Sequence, residues 1–388
     1  MPHVIIPGDC RLSFNLIGDD EIGLGLCDPP YEISIAGNGW DSSGVAYDPV
    51  VWRGYLRVLR PGAHLLVFGA TRTAHRVACA VEDAGFEIRD QIQWLYHQGV
   101  PKGRSIDKAI DGLLGAQRPV IERRTKTIGG GESYGMQAGP RRTVQADLTG
   151  PGSQQAAAWE GWNTTLRPAH EPIILARKPL RERSVERNVL QWGAGAMNVR
   201  AGEYGAGLWP ANAVLSHGPD CTQWQCGAGC PTRMLDAQHA GASQFFKQLP
   251  YENYDQYDPD LFCPKPRREE KDVGCEHLPR KAPLMPITPE GREANAAFER
   301  GETEGMLNPH PTVKPVNLMQ YLVGIFGVPG LPVLDAFTGS GTTGVAAVSL
   351  GFEFVGMELT AEYLPVIAGR LGHAERERVA AVQSKRVA

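Results

Sequence analysis

Short apolar strands alternate with amphipathic helices at both ends of the chain, and this alternation constrains the fold more than any other feature. In the first hundred residues the pattern predicts strands at 3–6, 23–27, 64–68 and 86–96 and helices at 49–59 and 73–84. Beyond residue 330 it predicts strands at 331–337 and 352–358 and helices at 344–350 and 362–371. Strands that alternate with helices form a mostly parallel sheet with helices on both faces. We therefore expect two halves of one doubly wound α/β sheet.

The segment between these halves lacks that regularity. Residues 99–165 are rich in Gly, Gln and Arg, and residues 190–308 contain scattered prolines and aromatics. One apolar run, 171–178, is suited to the core sheet. The sequence thus predicts two insertions, which divide the chain into a first core half, an inserted loop, a core strand, a second inserted region and a second core half, at 1–105, 106–165, 166–180, 181–304 and 305–388.

Composition narrows the classes of partner and location. The formal net charge of −4 gives no global electrostatic case for a polyanionic partner, so a nucleic-acid surface would have to be local. The apolar run at the N-terminus is too short for a signal peptide, and no stretch approaches the roughly 20 apolar residues that span a bilayer. We expect a cytoplasmic protein without a membrane partner, whose eight cysteines are reduced or bind metal.

A glycine-rich turn follows the predicted strand at 331–337 and opens a helix. It reads Asp335-Ala336-Phe337-Thr338-Gly339-Ser340-Gly341-Thr342-Thr343-Gly344. Its glycines let the backbone approach a ligand closely, and Glu358, which ends the next strand, can accept hydrogen bonds from ribose hydroxyls. The spacing also satisfies a dinucleotide fingerprint, but a dehydrogenase begins with that unit and continues into a second nucleotide-binding half. The position here favours a cofactor that is not a dinucleotide.

The tetrapeptide Asp28-Pro29-Pro30-Tyr31 follows another predicted strand and places a carboxylate, a rigid carbonyl and an aromatic ring at its end. Asp28 and the Pro29 carbonyl can accept both hydrogens of an exocyclic amino group and turn the nitrogen lone pair toward an electrophile, while Tyr31 stacks on the base. A proline turn capped by an aspartate is the structural alternative. Found together with the glycine-rich turn, the tetrapeptide favours base chemistry.

These two motifs resemble those of the amino-methyltransferase family of DNA methyltransferases, in the β arrangement that places the target-base motif before the cofactor motif. The resemblance covers residues 1–105, 166–180 and 305–375. It implies a class I methyltransferase fold, which is Rossmann-like and doubly wound, with a mostly parallel sheet whose last strand is antiparallel and an inserted target-recognition region. It also implies methyl transfer from S-adenosylmethionine to adenine N6 in double-stranded DNA by base flipping.

The resemblance assigns roles residue by residue. The catalytic candidates are Asp28, Pro29, Pro30 and Tyr31. The cofactor-binding candidates are Asp9, Asp28, His310, Thr312, Lys314, Asp335, Phe337, Gly339, Ser340, Gly341, Thr342 and Glu358. Two of them have a structural alternative, since Asp9 could cap a turn and Lys314 could be a solvated residue held between two prolines.

The base and the substrate class stay open at this point. Asp at the first position of the family's tetrapeptide leans toward adenine and Ser toward cytosine, so cytosine N4 is the alternative target. RNA, a protein glutamine or a catalytically idle DNA-binding relative are further alternatives. Methylation at cytosine carbon 5 is disfavoured, because that chemistry needs a Pro-Cys pair and the chain has Cys230-Pro231 and Cys263-Pro264 instead.

A metal site is predicted within the second insertion. His217, Cys221, Cys226 and Cys230 fall within fourteen residues, separated by three, four and three positions. Imidazole and thiolates are preferred ligands of zinc, and a closed four-ligand site would be structural. Reduced loop cysteines are the alternative, and Cys263 is a substitute for His217. We expect the other cysteines on core elements, Cys10, Cys27 and Cys79, to be apolar fillers.

The family implies that target recognition lies at 181–304, with help from the Arg-rich loop near 118–145, and that the partner is double-stranded DNA. We predict core packing for Trp40 and Trp209 rather than stacking on nucleotides. The β arrangement also allows a homodimer, and the family suggests the cytoplasm of a bacterial or phage-infected cell. Nothing in the chain resembles a nuclease, so a restriction-modification partner would be a separate protein.

Overall fold

A computed structural model describes most of the chain. The described residues are 3–33, 39–96, 103–128, 132–133, 136–137, 142–145, 147–203, 209–217, 226, 230–240, 242–248, 268–282, 295–301 and 304–387. Their strands are β1 His3–Pro7, β2 Ile22–Cys27, β3 Leu59–Phe68, β4 Glu87–Leu95, β5 Val120–Glu122, β6 Thr125–Ile128, β7 Glu132–Ser133, β8 Met136–Gln137, β9 Arg142–Gln145, β10 Leu148–Thr149, β11 His170–Arg177, β12 Ala213–Leu215, β13 Lys247–Gln248, β14 Val333–Asp335 and β15 Phe354–Glu358.

Helices separate these strands. They are α1 Cys10–Ser13, α2 Pro49–Val58, α3 Ala74–Asp83, α4 Ile106–Leu114, α5 Gln154–Ala157, α6 Val185–Trp192, α7 Pro231–Gln238, α8 Arg268–Asp272, α9 Val316–Phe326, α10 Thr342–Ser349 and α11 Leu364–Val387. The helix predicted at 362–371 thus continues through the charged tail. No helix in the described ranges combines the length and the apolar character that crossing a bilayer requires.

The central sheet joins both ends of the chain. Among the described residues its strand order is β1-β15-β14-β2-β3-β11-β4-β12-β13. In the centre β14 from the C-terminal half pairs in parallel with β2 from the N-terminal half, with Leu334 opposite Gly25. The prediction of one α/β sheet built from two distant halves is confirmed.

One strand runs against the others, and it is β11 rather than the last strand. β11 pairs antiparallel with both β3 and β4, whereas the last strand of the chain, β15, is parallel to its neighbours. The physical reason is the first insertion, which leaves β4 and returns at the same edge of the sheet, where the Tyr96 amide donates to the Ala169 carbonyl over 2.9 Å. A chain that re-enters at the edge it left pairs like a hairpin.

Apolar cores cover both faces of the sheet. β2 is buried at all six positions because Ile22 and Cys27 pack into one core and Leu24 and Leu26 into the other. Helices α2 and α3 cover one face, and α9, α10 and α11 cover the other. Gly25 is required within β2, since a Cβ there would lie 2.7 Å from Leu65 Cδ1 and 3.0 Å from Tyr55 Cε1.

Strand β3 begins earlier than its apolar run predicts. Leu59 already pairs with Ile22, and the register then shifts so that Leu24 pairs with His64. The extra residues include Pro61, whose carbonyl accepts a hydrogen bond from Asn188 Nδ2 over 2.8 Å. The predicted break between helix and strand is therefore an irregularity inside the strand.

The second insertion contributes to the sheet itself. β12 pairs in parallel with β4, and β13 extends the same edge. Nearer the end of the insertion, the segment around Gly274 packs closely against α11, where a Cβ at Gly274 would lie 2.6 Å from the Gly369 carbonyl. Both connections tie the insertion to the core halves.

Candidate active site

A cavity of about 340 Å³ opens at the edge where the parallel strands end. Parallel strands bring the residues that follow them to one edge, which is where ligands bind in such sheets. The wall contains every residue predicted for catalysis or cofactor binding except Gly341, namely Asp9, Asp28, Pro29, Pro30, Tyr31, His310, Thr312, Lys314, Asp335, Phe337, Gly339, Ser340, Thr342 and Glu358. Sequence positions more than 300 residues apart thus meet in one site.

Asp28 follows β2 and forms an ion pair with Lys314, whose Nζ lies 2.5 Å from Oδ2. The second oxygen, Oδ1, is buried and accepts no hydrogen bond from the described residues. Burial raises the pKa of Asp28, and the charge of Lys314 acts against that rise. A buried oxygen without a partner is costly, so its place in a cavity wall marks a site for a hydrogen-bond donor.

Tyr31 is held at both ends by neighbouring elements. Its hydroxyl donates to Glu171 Oε2 over 2.8 Å, and its carbonyl accepts from Thr73 Oγ1 over 2.9 Å. The Lys314 Nζ lies 5.2 Å from the ring centroid. These contacts fix the orientation of the ring beside the carboxylate of Asp28.

Glu171 is a site residue that the sequence prediction missed. It is the second residue of β11, lines the cavity, and lies 3.5 Å from Lys314 Nζ through Oε2. A charged residue at the start of an otherwise apolar strand was a signal. This signal could not be used without knowing the direction of β11. Because β11 is antiparallel, its first residues lie at the edge where the parallel strands end.

Lys314 is buried between two carboxylates instead of being solvated. Burial disfavours its charged form, but Asp28 and Glu171 outweigh that effect and raise the pKa of Lys314 above its usual value. The ammonium group is therefore charged at neutral pH. Its position between Asp28 and Glu171 differs from the predicted contact with a cofactor carboxylate.

The glycine-rich turn is shaped by hydrogen bonds from its own residues. Asp335 Oδ1 accepts from the Phe337 amide over 2.9 Å and Oδ2 accepts from Thr343 Oγ1 over 2.5 Å. Burial raises the pKa of Asp335 to about 7, and these two donors act in the opposite direction. Asp335 therefore shapes the turn as well as lining the cavity.

Two glycines of the turn require the left-handed region. Gly339 has φ +56°, and a Cβ there would lie 2.8 Å from His310 Nε2. Gly341 has φ +86°, and its amide donates to the Thr338 carbonyl over 2.8 Å. Gly341, the one predicted residue outside the cavity wall, closes the turn from behind.

Glu358 joins the turn to the next strand. Oε2 accepts from the Gly339 amide and Oε1 from the Thr360 amide, each over 2.7 Å. Burial raises the pKa of Glu358, and both amides oppose the rise. Each oxygen retains a lone pair for a further donor.

Arg370 is a second residue that the sequence did not reveal. From α11 its Nη1 donates to the Ser340 carbonyl over 2.9 Å and to Thr342 Oγ1 over 2.9 Å. It lies in a charged helix with no distinguishing motif. Only the packing of α11 against the turn makes its function visible.

Asp9 and His310 both line the cavity wall. Asp9 caps α1 by accepting from the Arg11 amide over 2.9 Å, and the Arg11 guanidinium lowers its pKa. Asp9 thus caps a helix and also lines the cavity, where its binding of a cofactor stays a prediction. His310 packs edge-on against Tyr363, and burial lowers its pKa to about 3, so the imidazole is neutral.

Three of the four predicted metal ligands meet beyond the end of β12. The donor atoms of His217, Cys226 and Cys230 all lie within 4.8 Å of one another. Cys221 lies outside the described residues, as does Cys263. Of the predicted core cysteines Cys10 and Cys27 are buried, but Cys79 is exposed, because it lies on the outer side of α3.

Three residues outside the predicted site differ from their predicted roles. Arg118, in the predicted DNA-contacting loop, is held by Asp107 at 2.6 Å and Asp111 at 2.5 Å, so its charge is already used within the fold. Trp40 and Trp209, predicted to pack in the core, are 39% and 72% exposed. Trp40 lines the cavity.

Parts of the chain are similar to named methyltransferases. It is 38% identical over 80 residues to the DNA adenine methyltransferase YhdJ of Escherichia coli K12, covering 20% of this chain and 27% of YhdJ. It is 44% identical over 68 residues to the type II methyltransferase M2.DpnII of Streptococcus pneumoniae, covering 18% of this chain and 25% of the relative. The matches span about a quarter of the length of these curated relatives.

A likeness to a solved structure runs over nearly the whole chain but is weak. The cytosine-N4-specific PvuII DNA methyltransferase aligns with a TM-score of 0.47 and 11% identity, covering 98% of this chain and 93% of that one. Similarity of this degree carries no functional argument.

The family match is extensive. Residues 22–369 match the N6/N4 methyltransferases, the family described as DNA methylase. The matched range begins in β2, just before Asp28, and ends in α11, so it includes both motifs that meet in the cavity. The chain therefore belongs to the DNA methylase family of N6/N4 methyltransferases.

Proposed function

We propose that the protein is a site-specific methyltransferase that transfers a methyl group from S-adenosylmethionine to adenine N6 in double-stranded DNA. The observation that carries the proposal is the buried Oδ1 of Asp28, which accepts no hydrogen bond from the described residues and lies in the same cavity wall as Tyr31 and the glycine-rich turn. The aspartate at the first position of the tetrapeptide favours adenine, and the relative YhdJ is named a DNA adenine methyltransferase.

The residues of the cavity fit S-adenosylmethionine. Glu358, with a lone pair left on each oxygen, suits a ribose, and the left-handed turn at Gly339 leaves backbone rather than a side chain beside the ligand. When bound, the cofactor supplies an electrophilic methyl group. We propose that the predicted set binds it, namely Asp9, Asp28, His310, Thr312, Asp335, Phe337, Gly339, Ser340, Gly341, Thr342 and Glu358.

We propose a different role for Lys314. Its ion pair with Asp28 occupies Oδ2 and leaves Oδ1 for the substrate. The positive charge also favours the ionised carboxylate against the effect of burial. These contacts favour a role at Asp28 over the predicted contact with the cofactor.

Asp28 and Tyr31 then act on a base that has left the duplex. Asp28 Oδ1 accepts a hydrogen bond from the exocyclic amino group, and the Pro29 carbonyl accepts the other, which directs the nitrogen lone pair away from the ring plane. Tyr31, fixed by Glu171, stacks on the base. The cofactor would supply the methyl group, whose bond to sulfur would break as the amino nitrogen bonds to the methyl carbon, and Asp28 Oδ1 would accept the proton that the nitrogen loses.

The proposed macromolecular partner is double-stranded DNA, read by the inserted region at 181–304. Support comes from the pairing of β12 with β4, because this attaches the insertion to the sheet beside Trp94, which lines the cavity. The exposed indole of Trp209 offers a contact surface in the same region. We also propose that the protein acts in the cytoplasm and can form a homodimer; a restriction enzyme acting with it would be a separate protein.

The test is transfer of labelled methyl from S-adenosylmethionine to unmethylated double-stranded DNA, followed by nucleoside analysis. We expect labelled 6-methyladenine from the wild type and a loss of at least about 100-fold in Asp28→Asn, which keeps the shape of the side chain but removes the acceptor charge. Asp19→Asn is the matched control, because Asp19 is 71% exposed and far from the cavity wall. It should keep full activity.

The products separate the alternatives. Labelled 4-methylcytosine would move the target to cytosine N4 and leave the site assignment intact. An active Asp28→Asn variant would overturn the assignment of Asp28. Intact cofactor binding with no label in DNA would overturn the DNA substrate and direct the assay to RNA and to protein glutamine.

A further inference from the structure

The cluster of His217, Cys226 and Cys230 has the dimensions of a zinc site. Zinc binds imidazole nitrogen at about 2.0–2.1 Å and thiolate sulfur at about 2.3 Å, so a tetrahedral angle separates nitrogen and sulfur by about 3.6 Å. His217 Nδ1 lies 3.4 Å from Cys226 Sγ and 3.6 Å from Cys230 Sγ. Both nitrogen-to-sulfur distances thus match those of a tetrahedral zinc site.

The local structure holds both cysteines in place. Cys230 is buried and immediately precedes α7. Cys226 is held through its carbonyl, which accepts a hydrogen bond from Arg233 Nη1 over 3.1 Å. Two thiolates would balance the charge of one divalent ion.

We propose that His217, Cys226 and Cys230 bind a structural Zn²⁺ ion. The described residues supply three ligands. The proposal does not depend on the methyltransferase activity, because it rests on the geometry of donor atoms outside the cavity wall.

The ion would fasten the second insertion to the sheet. His217 follows β12 after a single residue, Ser216, whose Oγ accepts a hydrogen bond from Trp94 Nε1 over 2.9 Å. Cys230, another proposed ligand, immediately precedes α7. Zinc would therefore join the end of β12 to the start of α7, near the Trp94 residue that lines the cavity.

The first measurement is the metal content of the full chain, purified without chelators, by inductively coupled plasma mass spectrometry. We expect about one zinc per chain in the wild type and less than about 0.2 in Cys226→Ser and Cys230→Ser. The matched control is Cys79→Ser, because Cys79 is exposed on α3 and outside the cluster. It should retain the wild-type zinc content.

Cobalt gives a second readout that does not require the variants to fold. Chelated wild-type protein reloaded with Co²⁺ should show the intense visible bands of a tetrahedral ion and a thiolate-to-cobalt charge-transfer band in the near ultraviolet. Both should be absent after alkylation of the thiols. Wild-type protein with less than about 0.1 zinc per chain and no cobalt bands would overturn the proposal and leave the cysteines as reduced thiols.

Discussion

At the scale of single residues, the ion pair between Asp28 and Lys314 governs the chemistry of the cavity. It engages one oxygen of the carboxylate and leaves the other buried and without a hydrogen bond from the described residues, on a residue that lines the cavity. The same pair offsets the cost of burying Asp28, since an opposite charge at hydrogen-bonding distance favours the ionised form. One lysine therefore serves both the orientation and the charge of the catalytic candidate.

Gly339→Ala tests the glycine-rich turn at this scale. The new Cβ would meet His310 Nε2 at 2.8 Å, in a backbone with φ +56°. We expect S-adenosylmethionine to bind at least about tenfold more weakly, which equals about 1.4 kcal/mol, by isothermal titration calorimetry.

Gly351→Ala is the matched control for backbone strain. Gly351 has φ +86° with no atom within 4 Å of an added Cβ. Both variants should lose about 1–2 kcal/mol of stability from the left-handed conformation, and only Gly339→Ala should lose cofactor affinity. Equal affinity in the two variants would contradict the role of Gly339.

At the scale of elements, the direction of β11 decides the composition of the site. Because it runs antiparallel to β3 and β4, its first residues, including Glu171, lie where the parallel strands end. A parallel β11 would have put Arg177 at that edge instead. Helix α11 acts similarly from another side, since its Arg370 holds the turn at Ser340 and Thr342.

Glu171→Gln tests the contribution of β11 as a positioning residue. The charge of Glu171 raises the pKa of Asp28, while Lys314 lowers it. Removing that charge leaves Lys314 in place, so the pKa of Asp28 falls. The acid limb of the pH profile of methyl transfer should therefore move to lower pH, together with a drop of about tenfold in rate because Tyr31 loses a charged acceptor.

Glu87→Gln is the matched control, because it also removes a carboxylate that contacts a residue of β11. Glu87 pairs with Arg177 at 2.6 Å, at the end of β11 opposite to Glu171. Its acid limb should coincide with that of the wild type. An acid limb in Glu171→Gln that stays in place or moves to higher pH would refute the coupling of Glu171 to Asp28.

At the scale of the whole molecule, a half-buried carboxylate joins parts of the chain that are distant in sequence. Glu270, on α8 within the second insertion, accepts a hydrogen bond from the Val316 amide at the start of α9 over 2.9 Å. Burial raises its pKa from an ordinary 4.5 to about 7. The stability of the protein is therefore linked to the protonation of Glu270.

Glu270→Gln tests this linkage through the free energy of unfolding in urea. Between pH 4.5 and 7 the folded protein retains a proton that the unfolded chain releases, so the stabilisation present at low pH is lost as the pH rises. The wild type should lose about 2 kcal/mol relative to Glu270→Gln between pH 5 and pH 8. Glu299 is exposed, so the plot of unfolding free energy against pH for Glu299→Gln should be parallel to that of the wild type. A parallel plot for Glu270→Gln would rule out the raised pKa of Glu270.

The sequence by itself determined the α/β class, most element positions in the two halves and the two motifs that meet in the cavity wall. These follow from local information, because hydrophobic periodicity specifies strands and helices and a motif at a strand end must lie at the edge of a parallel sheet. Asp28, Tyr31, Gly339 and Glu358 could therefore be assigned to one site without coordinates.

The tertiary structure alone decided which side chains meet there. The partner of Asp28 is 286 residues away and the partner of the Tyr31 hydroxyl is 140 residues away, and no local pattern records such pairs. The exposure of Trp209 and the ion pairs of Arg118 depend in the same way on contacts between distant segments. Long-range contacts form only when elements pack, so strand direction and the partners of buried charges belong to the folded molecule.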